Sequence, residues 1–425
     1  MRNTLTFTNQ YVKSGNTSNK KGLSVIEFLF FGILIFYYLL PSFNVVFPVM
    51  LIMIVCVAYT AVLCILHTKG MNFFLWLIIS AIIISLMYYI LTETSTVAVG
   101  VSNYTLKRLL SKFQQVFMSF FPLLIFYRMA RKATRQQKIS LLTLMIILFL
   151  YVVLNTMIEL QVNENATRSW GEFEEQNKKN VSTYAYVYAV PIIISCLPYW
   201  SSKIGMKKTY YKALILGIEI FLFAFLLLAQ YTLALLISVI ILFMQISSNI
   251  KNHTNKIVLW GGVLLAIIAL PSILNFLAER VPSQQMAIRL REMATFFNTG
   301  DASGDNLGGR LELYGETIKA FLKSPFFGNR KLSFDGHATF LTVFADIGIF
   351  GGMCFVMVYI LAKKLVGTLF DKSQIQAFKP AFIGLILMGL TNPIHSADPL
   401  AITVWLFVPL IIVTLGGGNE KNLGN

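Results

Sequence analysis

The sequence predicts an all-α polytopic membrane protein, from its composition, its apolar runs and the charges between them. Of its 425 residues, 56% are hydrophobic and only 13% are charged, which excludes an ordinary soluble globular protein. Apolar runs of about twenty residues recur, and a helix of that length crosses the roughly 30 Å hydrocarbon core of a bilayer. Basic residues concentrate in alternate connections, as they do in the cytoplasmic loops of multi-pass proteins.

The predicted order of the chain is a basic tail, two sets of spans separated by one large loop, and a second tail. These segments are 1–21 (cytoplasmic tail), 22–275 (spans one to nine), 276–336 (external loop), 337–415 (spans ten to twelve) and 416–425 (cytoplasmic tail). No signal peptide is predicted, because the first apolar run is too long and no small-residue cleavage site follows it.

Each predicted span is placed on an apolar run. The twelve are 22–40, 44–66, 72–91, 109–127, 139–160, 183–200, 212–229, 231–247, 257–275, 338–362, 380–394 and 399–415. The region 212–247 also fits one broken helix, and the run 380–394 is short for a span. A total of eleven spans therefore stays open beside twelve.

Loop charges predict the orientation. The basic connections fall on the side of the N-terminal tail, and they are 128–138, 201–212, 248–256 and 363–379. On the other side, 41–43 is uncharged and 161–182 is mixed. Because positive loops stay in the cytoplasm, both termini are predicted to be cytoplasmic. Most of the formal net charge of +16 therefore lies in loops that set the orientation of the protein in the membrane. We expect no nucleic-acid partner.

The large loop has internal order. Apolar residues at helical spacing predict two amphipathic helices, 285–297 and 310–323, joined by the glycine-rich connector NTGDASGDNLGG. Pro325 and Gly328 end the second helix. We expect both helices to lie on the outer membrane surface and to cover a cavity between the spans.

Cations on the external side indicate an anionic ligand. The loop carries five arginines (Arg280, Arg289, Arg291, Arg310 and Arg330), and Lys107, Arg108 and Lys112 stand at the outer end of the fourth span. Solvated surface charge is the alternative interpretation, chiefly for the lysines. Guanidinium groups pair bidentately with phosphate oxygens, and no DxD pair or His/Asp cluster suited to a metal stands in the external segments. A lipid-linked phosphate bound by arginine, without metal or other cofactor, is therefore favoured.

The external histidines are candidate general bases. Of the four histidines, His67 and His253 are predicted to be cytoplasmic, whereas His337 and His395 face outward beside helix ends. A histidine titrates near neutrality and suits removal of a hydroxyl proton. A structural role is the alternative, and it is the favoured one for His395.

Three acidic residues fall within the spans away from their ends, where ionisable groups are costly and usually serve a purpose. They are Glu27, Glu219 and Asp346. Asp346 follows His337 by nine residues, which places the two on roughly opposite faces of a helix. A packing or capping role is therefore expected for Asp346.

The run GGRLELYGETIKAFLKSPFFGN, followed by GHATFLTVFADIGIFGG, resembles the shared domain of O-antigen ligases and Wzy-type polysaccharide polymerases. The residues that carry the resemblance are Arg310, Pro325, Gly328, His337, Leu341, Asp346, Gly348 and Gly351. The chain departs from the pattern in two places. Ala338 stands where the family has a small amide or hydroxyl residue, and the family's Ser-Arg pair in a middle span has no counterpart in LAQYTLALLIS (228–238).

The resemblance implies a GT-C-like scaffold and a metal-independent, inverting glycosyltransferase of the bacterial inner or plasma membrane. The expected reaction is polymerisation of O-antigen or capsule repeat units, with transfer from undecaprenyl pyrophosphate to a sugar hydroxyl at the outer face. His337 and Arg310 are the expected catalytic residues. The expected substrate-binding residues are Arg289, Arg291, Lys107, Arg108, Glu316 and His395. The bilayer is a partner, and a chain-length regulator and a flippase are candidate partners.

Two other functions stay open. A ligase that moves finished glycan onto a lipid or protein acceptor fits the same motif. A lipid-linked oligosaccharide flippase fits the number of spans, although transporters commonly show two related halves and this chain has one large loop late in the sequence.

Overall fold

The computed structural model describes residues 22–66, 72–93, 102–163, 165–167, 177–203, 209–249, 253–281, 284–299, 307–329, 338–394 and 398–416. Regular structure within these ranges is helical, without a strand, so the all-α class is confirmed. The helices are α1 Val25–Leu39, α2 Pro41–Val46, α3 Val49–Leu66, α4 Asn72–Glu93, α5 Ser102–Lys132, α6 Arg135–Val162, α7 Tyr184–Ile194, α8 Leu197–Lys203, α9 Thr209–Leu228, α10 Thr232–Asn249, α11 His253–Ala278, α12 Gln284–Thr299, α13 Leu307–Lys323, α14 Thr339–Leu369, α15 Lys372–Thr391 and α16 Asp398–Gly416.

Several of these helices are long and apolar enough to cross a bilayer. Seven such stretches lie in the described ranges, and they belong to α3, α4, α5, α6, α14, α15 and α16. Shorter apolar stretches lie in α1, α10 and α11. The chain is thus a multi-pass membrane protein, and the count of about twelve spans stays a prediction.

Two predicted spans are interrupted in the structure. The run 44–66 divides at Phe47–Pro48, and 183–200 divides at a turn between α7 and α8. The region 212–247, which holds two predicted spans, forms two helices, because Gln230 adopts a φ of 58° that ends α9 before α10 begins. Helix α14 instead extends beyond its predicted span and reaches Leu369.

Helix α16 occupies the centre of the fold. It is the most buried of the seven long apolar stretches, and it packs against α1, α5, α6, α7 and α15. Its Trp405 is 2% exposed, and the ring lies 5.5 Å from the ring of Phe120 and 6.3 Å from that of Phe382. A π-helical turn at Thr403–Phe407 falls in this packed region.

Contacts between helix ends define two faces of the bundle. On the first face, the Gln137 amide at the start of α6 exchanges hydrogen bonds with the backbone of Leu23 just before α1, each of 3.0 Å. Also on this face, a Cβ added to Gly416 would lie 2.5 Å from the Gln374 amide nitrogen and 3.0 Å from the Tyr199 hydroxyl. The loop charges predict this first face to be cytoplasmic.

Asp371, in the connection between α14 and α15, caps α15 on the first face. Its carboxylate accepts hydrogen bonds from the Gln374 N–H (2.8 Å) and the Ser373 hydroxyl (2.9 Å). Partial burial opposes ionisation, but these hydrogen bonds outweigh it, so the pKa of Asp371 lies below its usual value.

The second face holds the other helix ends. The Ser42 N–H, after α1, donates to Asn180 Oδ1 at 3.0 Å, and the Thr339 N–H, at the start of α14, donates to the carbonyl of Asn392, after α15. The ends thus group as expected for helices that alternate in direction. That the second face is external stays a prediction from the loop charges.

The two loop helices differ in their packing. Helix α12 forms a hairpin with α11 through a small apolar cluster formed by Leu274, Ala278, Leu290 and Ala294. Helix α13 packs against α14, where the rings of Phe321 and Phe344 lie 6.2 Å apart.

Candidate functional site

The turn that follows α13 is built into α14. In an unbroken helix the Ile349 N–H would donate to the Ala345 carbonyl. Here the Ala345 carbonyl accepts from the Asn329 N–H at 2.7 Å, and the Ile349 N–H donates to the Pro325 carbonyl at 2.7 Å. The turn 325–329 therefore takes both hydrogen-bonding positions, and α14 bends at Gly348.

Two glycines permit this backbone approach. Gly328 has a φ of 81° and Gly348 a φ of 67°, values that L side chains rarely adopt. A Cβ on Gly328 would lie 2.1 Å from the Asp346 carbonyl oxygen, and one on Gly348 would lie 2.2 Å from the Phe326 carbonyl oxygen. These contacts give a physical reason for both glycines in the P-x-x-G and D-x-G segments.

Asp346 joins this turn region to α4. Its Oδ2 accepts a hydrogen bond from the Tyr88 hydroxyl at 3.0 Å, and the Lys112 ammonium lies 4.7 Å from the centre of the Tyr88 ring. A cavity of about 10 Å³, with room for one water, is lined by Tyr88, Lys112 and Gln115. This hydrogen bond joins α14 to α4, and the packing or capping role expected for Asp346 stays a prediction.

A buried hydrogen-bond network surrounds Asn392 on the second face. The Tyr188 hydroxyl donates to Asn392 Oδ1 at 2.7 Å, and the Asn392 amide donates to Thr391 Oγ1 at 2.9 Å. The Tyr314 hydroxyl of α13 donates to the Thr391 carbonyl at 3.0 Å. Asn392 is only 2% exposed, so these partners offset the cost of burying its amide.

Thr339 joins the start of α14 to the same network. Its N–H donates to the Asn392 carbonyl at 3.3 Å, and its hydroxyl accepts from the Ile394 N–H at 2.8 Å. The chain continues from Thr339 back toward His337, and from Ile394 on toward His395. Both histidines lie outside the described residues.

Arg289 places a cation next to this network, through a second group of hydrogen bonds. Its Nη1 donates to both the carbonyl and the side-chain oxygen of Gln230, each at 3.2 Å. Gln230 is 4% exposed and occupies the break between α9 and α10, where the helical hydrogen-bond pattern ends. The next residue, Tyr231, places its ring 5.8 Å from that of Tyr188.

These residues form two hydrogen-bonded groups, which meet where the ring of Tyr231 packs against that of Tyr188, and together they are called here the polar cluster. Its members are Tyr188, Gln230, Arg289, Tyr314, Thr339 and Asn392. The cluster combines a guanidinium group, two amides and three hydroxyls between helix ends. Such a group suits an anionic, hydroxyl-rich ligand.

The other predicted site residues are more scattered. Arg291, on α12, and Glu316, on α13, are both exposed. Arg310 lies in the first turn of α13, four residues before Tyr314, and the description does not extend to its side chain. Lys107 and Arg108 lie near the start of α5, and their side chains are likewise outside the description.

The sequence patterns do not predict most of the polar cluster. Motif and periodicity pass over Gln230, Tyr188, Thr339 and Asn392, because each is a single polar residue beside or within an apolar run. For two of these residues the sequence does contain an indication. Buried amides need partners, so Gln230 and Asn392 at the ends of apolar runs indicate a polar junction.

Glu27 and Glu219 lie away from the polar cluster. Glu27 accepts from Arg128 Nε at 2.8 Å and from the Tyr59 hydroxyl at 2.5 Å, which joins α1, α5 and α3. The predicted basic connection 128–138 begins with Arg128, but Arg128 belongs to α5.

Glu219 lies at the middle of α9 and lines a cavity of about 410 Å³ that Gln245 also lines.

No group of three or more His, Cys, Asp or Glu side chains suited to a metal occurs among the described residues. Comparison with protein-family models and with curated proteins found no match for this chain. The resemblance to O-antigen ligases and Wzy-type polymerases therefore rests on the motif residues given above.

Proposed function

We propose that this protein is a membrane glycosyltransferase that polymerises lipid-linked oligosaccharide repeat units of the O-antigen or capsule type. It transfers glycan from undecaprenyl pyrophosphate to a sugar hydroxyl at the outer face of a bacterial inner or plasma membrane. Its bundle is GT-C-like with about twelve spans, and the polar cluster faces outward.

The observation that carries the proposal is the position of Arg289. The family pattern has an arginine at the start of a middle span, and residues 228–238 contain none. Arg289 of α12 supplies a guanidinium at this point, through its bonds to Gln230 at the start of that segment. A planar guanidinium between helix ends is suited to a pyrophosphate oxygen.

The proposed reaction is one inverting displacement. The acceptor hydroxyl oxygen attacks the anomeric carbon of the donor glycan while the bond from that carbon to the pyrophosphate oxygen breaks. His337 takes the hydroxyl proton, and undecaprenyl pyrophosphate leaves with the electron pair. Arg310 and Arg289 stabilise the charge on the leaving group, and a preorganised donor of this kind contributes roughly 3–4 kcal/mol.

The remaining predicted residues have supporting roles in this proposal. Lys107, Arg108 and Arg291 attract the lipid phosphate, and Glu316 and His395 contact the sugars. Because Arg291 is exposed, long-range attraction suits it better than direct contact with a buried ligand. A flippase supplies the donor, and a chain-length regulator is a further partner.

The test is the surface glycan profile of a deletion strain complemented with the wild-type gene or with His337→Ala. The expected result is single repeat units on the normal acceptor in the deletion strain and in the variant, with the variant protein present in the membrane. Normal polymer from His337→Ala would eliminate the mechanism. Polymer that stays on its lipid carrier would identify a ligase.

A flippase is the second candidate, and the cavity beside Glu219 favours it. Glu219 lies in the predicted span 212–229 and lines an open groove of about 410 Å³, and ionisable groups within spans commonly mark transport pathways. If Glu219→Gln removes surface glycan and repeat units accumulate on the cytoplasmic side, the transporter is correct. Unchanged polymer from Glu219→Gln supports the transferase.

A further inference from the structure

An exposed apolar surface covers the turn after α13 and the adjoining side of α14. Phe326 and Phe327 of the turn are 58% and 60% exposed, and Phe350 of α14 is 56% exposed. The Phe350 ring lies 6.2 Å from that of Phe326 and 5.8 Å from that of Phe327. These three rings are called the aromatic surface. Such a contiguous apolar patch indicates an interaction site.

The aromatic surface continues the side of α14 that the described part of the protein leaves uncovered. Phe350, Met353, Met357 and Ile360 are all exposed and recur every three or four residues, so they form one stripe along the helix. Because α14 is among the helices that are long and apolar enough to cross the bilayer, this stripe faces acyl chains.

Helix α13 divides its exposed residues by polarity. Ile318 and Leu322 are exposed on one side, and that side adjoins the turn. The charged residues of the second exposed side are Glu312, Glu316, Lys319 and Lys323. Thr317 and Ala320 are buried on the side that packs against α14. An apolar side next to a charged one is typical of a helix that lies in a membrane interface.

The depth of the turn follows from its attachment point. The turn is bonded to the backbone of Ala345 and Ile349, next to Asp346. At this level Tyr88 and Lys112 approach each other, and tyrosine and lysine are residues that favour the interface. From Gly348 onward α14 extends about 33 Å, which is enough to cross the hydrocarbon core.

We propose that α13 and the turn 325–329 lie in the bilayer interface on the side where α14 begins, with the aromatic surface among the acyl chains. The occupant is lipid, because the aromatic surface is continuous with a lipid-facing stripe and borders a charged side that stays in water. This places the start of α13, with Arg310, at the level of the lipid phosphates. The inference does not depend on the proposed reaction.

Site-directed spin labelling of the full chain in phospholipid vesicles tests this placement. The native cysteines Cys56, Cys64, Cys196 and Cys354 are replaced by alanine. Labels are then placed one at a time by Phe327→Cys and Leu322→Cys, with Glu316→Cys and Lys319→Cys as controls on the water side. A high collision rate of the spin label with molecular oxygen shows that the label lies in lipid. A high collision rate with a water-soluble nickel chelate shows that the label lies in water.

We expect labels at 327 and 322 to collide with the nickel chelate roughly tenfold less often than labels at 316 and 319, as for side chains about 5–10 Å below the headgroups. Equal nickel collision at all four positions would overturn the proposal. So would spin–spin broadening at 327 that disappears on dilution with unlabelled protein, because the surface would then contact a second copy. Phe326→Cys replaces Phe327→Cys if the latter does not insert.

Discussion

Arg289 and Arg291 are neighbouring arginines of one helix that have different surroundings and different proposed roles. They are two positions apart, so they point in directions about 200° apart around α12. Arg289 reaches the carbonyl and side chain of Gln230, whereas Arg291 is exposed. Of these two arginines, only Arg289 is placed in the proposed transferase to bind a buried phosphate directly.

Replacing these arginines one at a time separates the two roles. Arg289→Ala is expected to lower polymer formation roughly a hundredfold, the usual effect of removing one preorganised donor. Arg289→Lys is expected to restore only part of the activity, because it keeps the charge without the planar fork. Arg291→Ala is the matched control and stays within about twofold of wild type. The measurement is the length and amount of polymer on gels from strains that hold equal levels of each variant protein. If Arg289→Ala and Arg291→Ala lose polymer formation equally, Arg289 has no special position.

Glu27 and Arg128 form a largely buried ion pair whose role is structural. The two side chains are 12% and 9% exposed, and Tyr59 satisfies the same carboxylate oxygen. Removing one partner leaves a charge without compensation in an apolar region. That cost exceeds the gain from the pair itself.

Glu27→Ala or Arg128→Ala is therefore expected to lower the free energy of unfolding by about 3–5 kcal/mol. Thermal unfolding in detergent measures the change. Glu159→Gln is the control, because Glu159 meets Lys179 at 3.6 Å and the two are 27% and 52% exposed. Breaking an exposed pair costs at most about 1 kcal/mol. A loss from Glu27→Ala no larger than that of Glu159→Gln would contradict the structural role.

The bend of α14 depends on a turn some twenty residues earlier in the chain, and it shows what hydrophobic periodicity predicts. The apolar runs predicted the helices, because a membrane segment must satisfy its backbone within itself. They did not predict the exchange of hydrogen bonds at Gly348, which needs a second piece of backbone at that position. Arg289 and Gln230 are likewise 59 residues apart, and nothing local relates them. The motif indicated which residues matter in the turn, and only the packing shows why.

Gly348→Ala should undo the attachment of the turn to α14. Gly348 has a φ of 67° and a ψ of −169°, a combination that costs an L residue roughly 1–3 kcal/mol, and the added Cβ would overlap the Phe326 carbonyl. We expect both a lower unfolding temperature and loss of polymer. Gly367→Ala is the control on the same helix, since a Cβ there meets nothing within 4 Å. That variant should gain about 0.5–1 kcal/mol. A Gly348→Ala protein as stable as Gly367→Ala would show that the bend is not required.

The grouping of helix ends ties the whole bundle to its proposed function. The Leu23–Gln137 contact lies on the first face, whereas the Ser42–Asn180 contact and the polar cluster lie on the second. Packing alone makes these groups, without reference to charge. Loop charge then predicts which group faces the cytoplasm. An outer-face transferase requires the polar cluster to be outside.

Labelling of single cysteines in intact cells with a membrane-impermeant maleimide tests both steps, in a variant without the native cysteines. Lys178→Cys and Glu316→Cys, both exposed on the second face, should react at once. Ser202→Cys and Ser373→Cys, exposed on the first face, should react only after permeabilisation. If all four positions exchange behaviour, the bundle is inverted and the polar cluster cannot act on glycans outside the cell. If Lys178→Cys and Glu316→Cys differ from each other, the helices do not alternate as their end contacts indicate. Because the two failures give different patterns, one set of variants decides whether the fold, the orientation or neither is at fault.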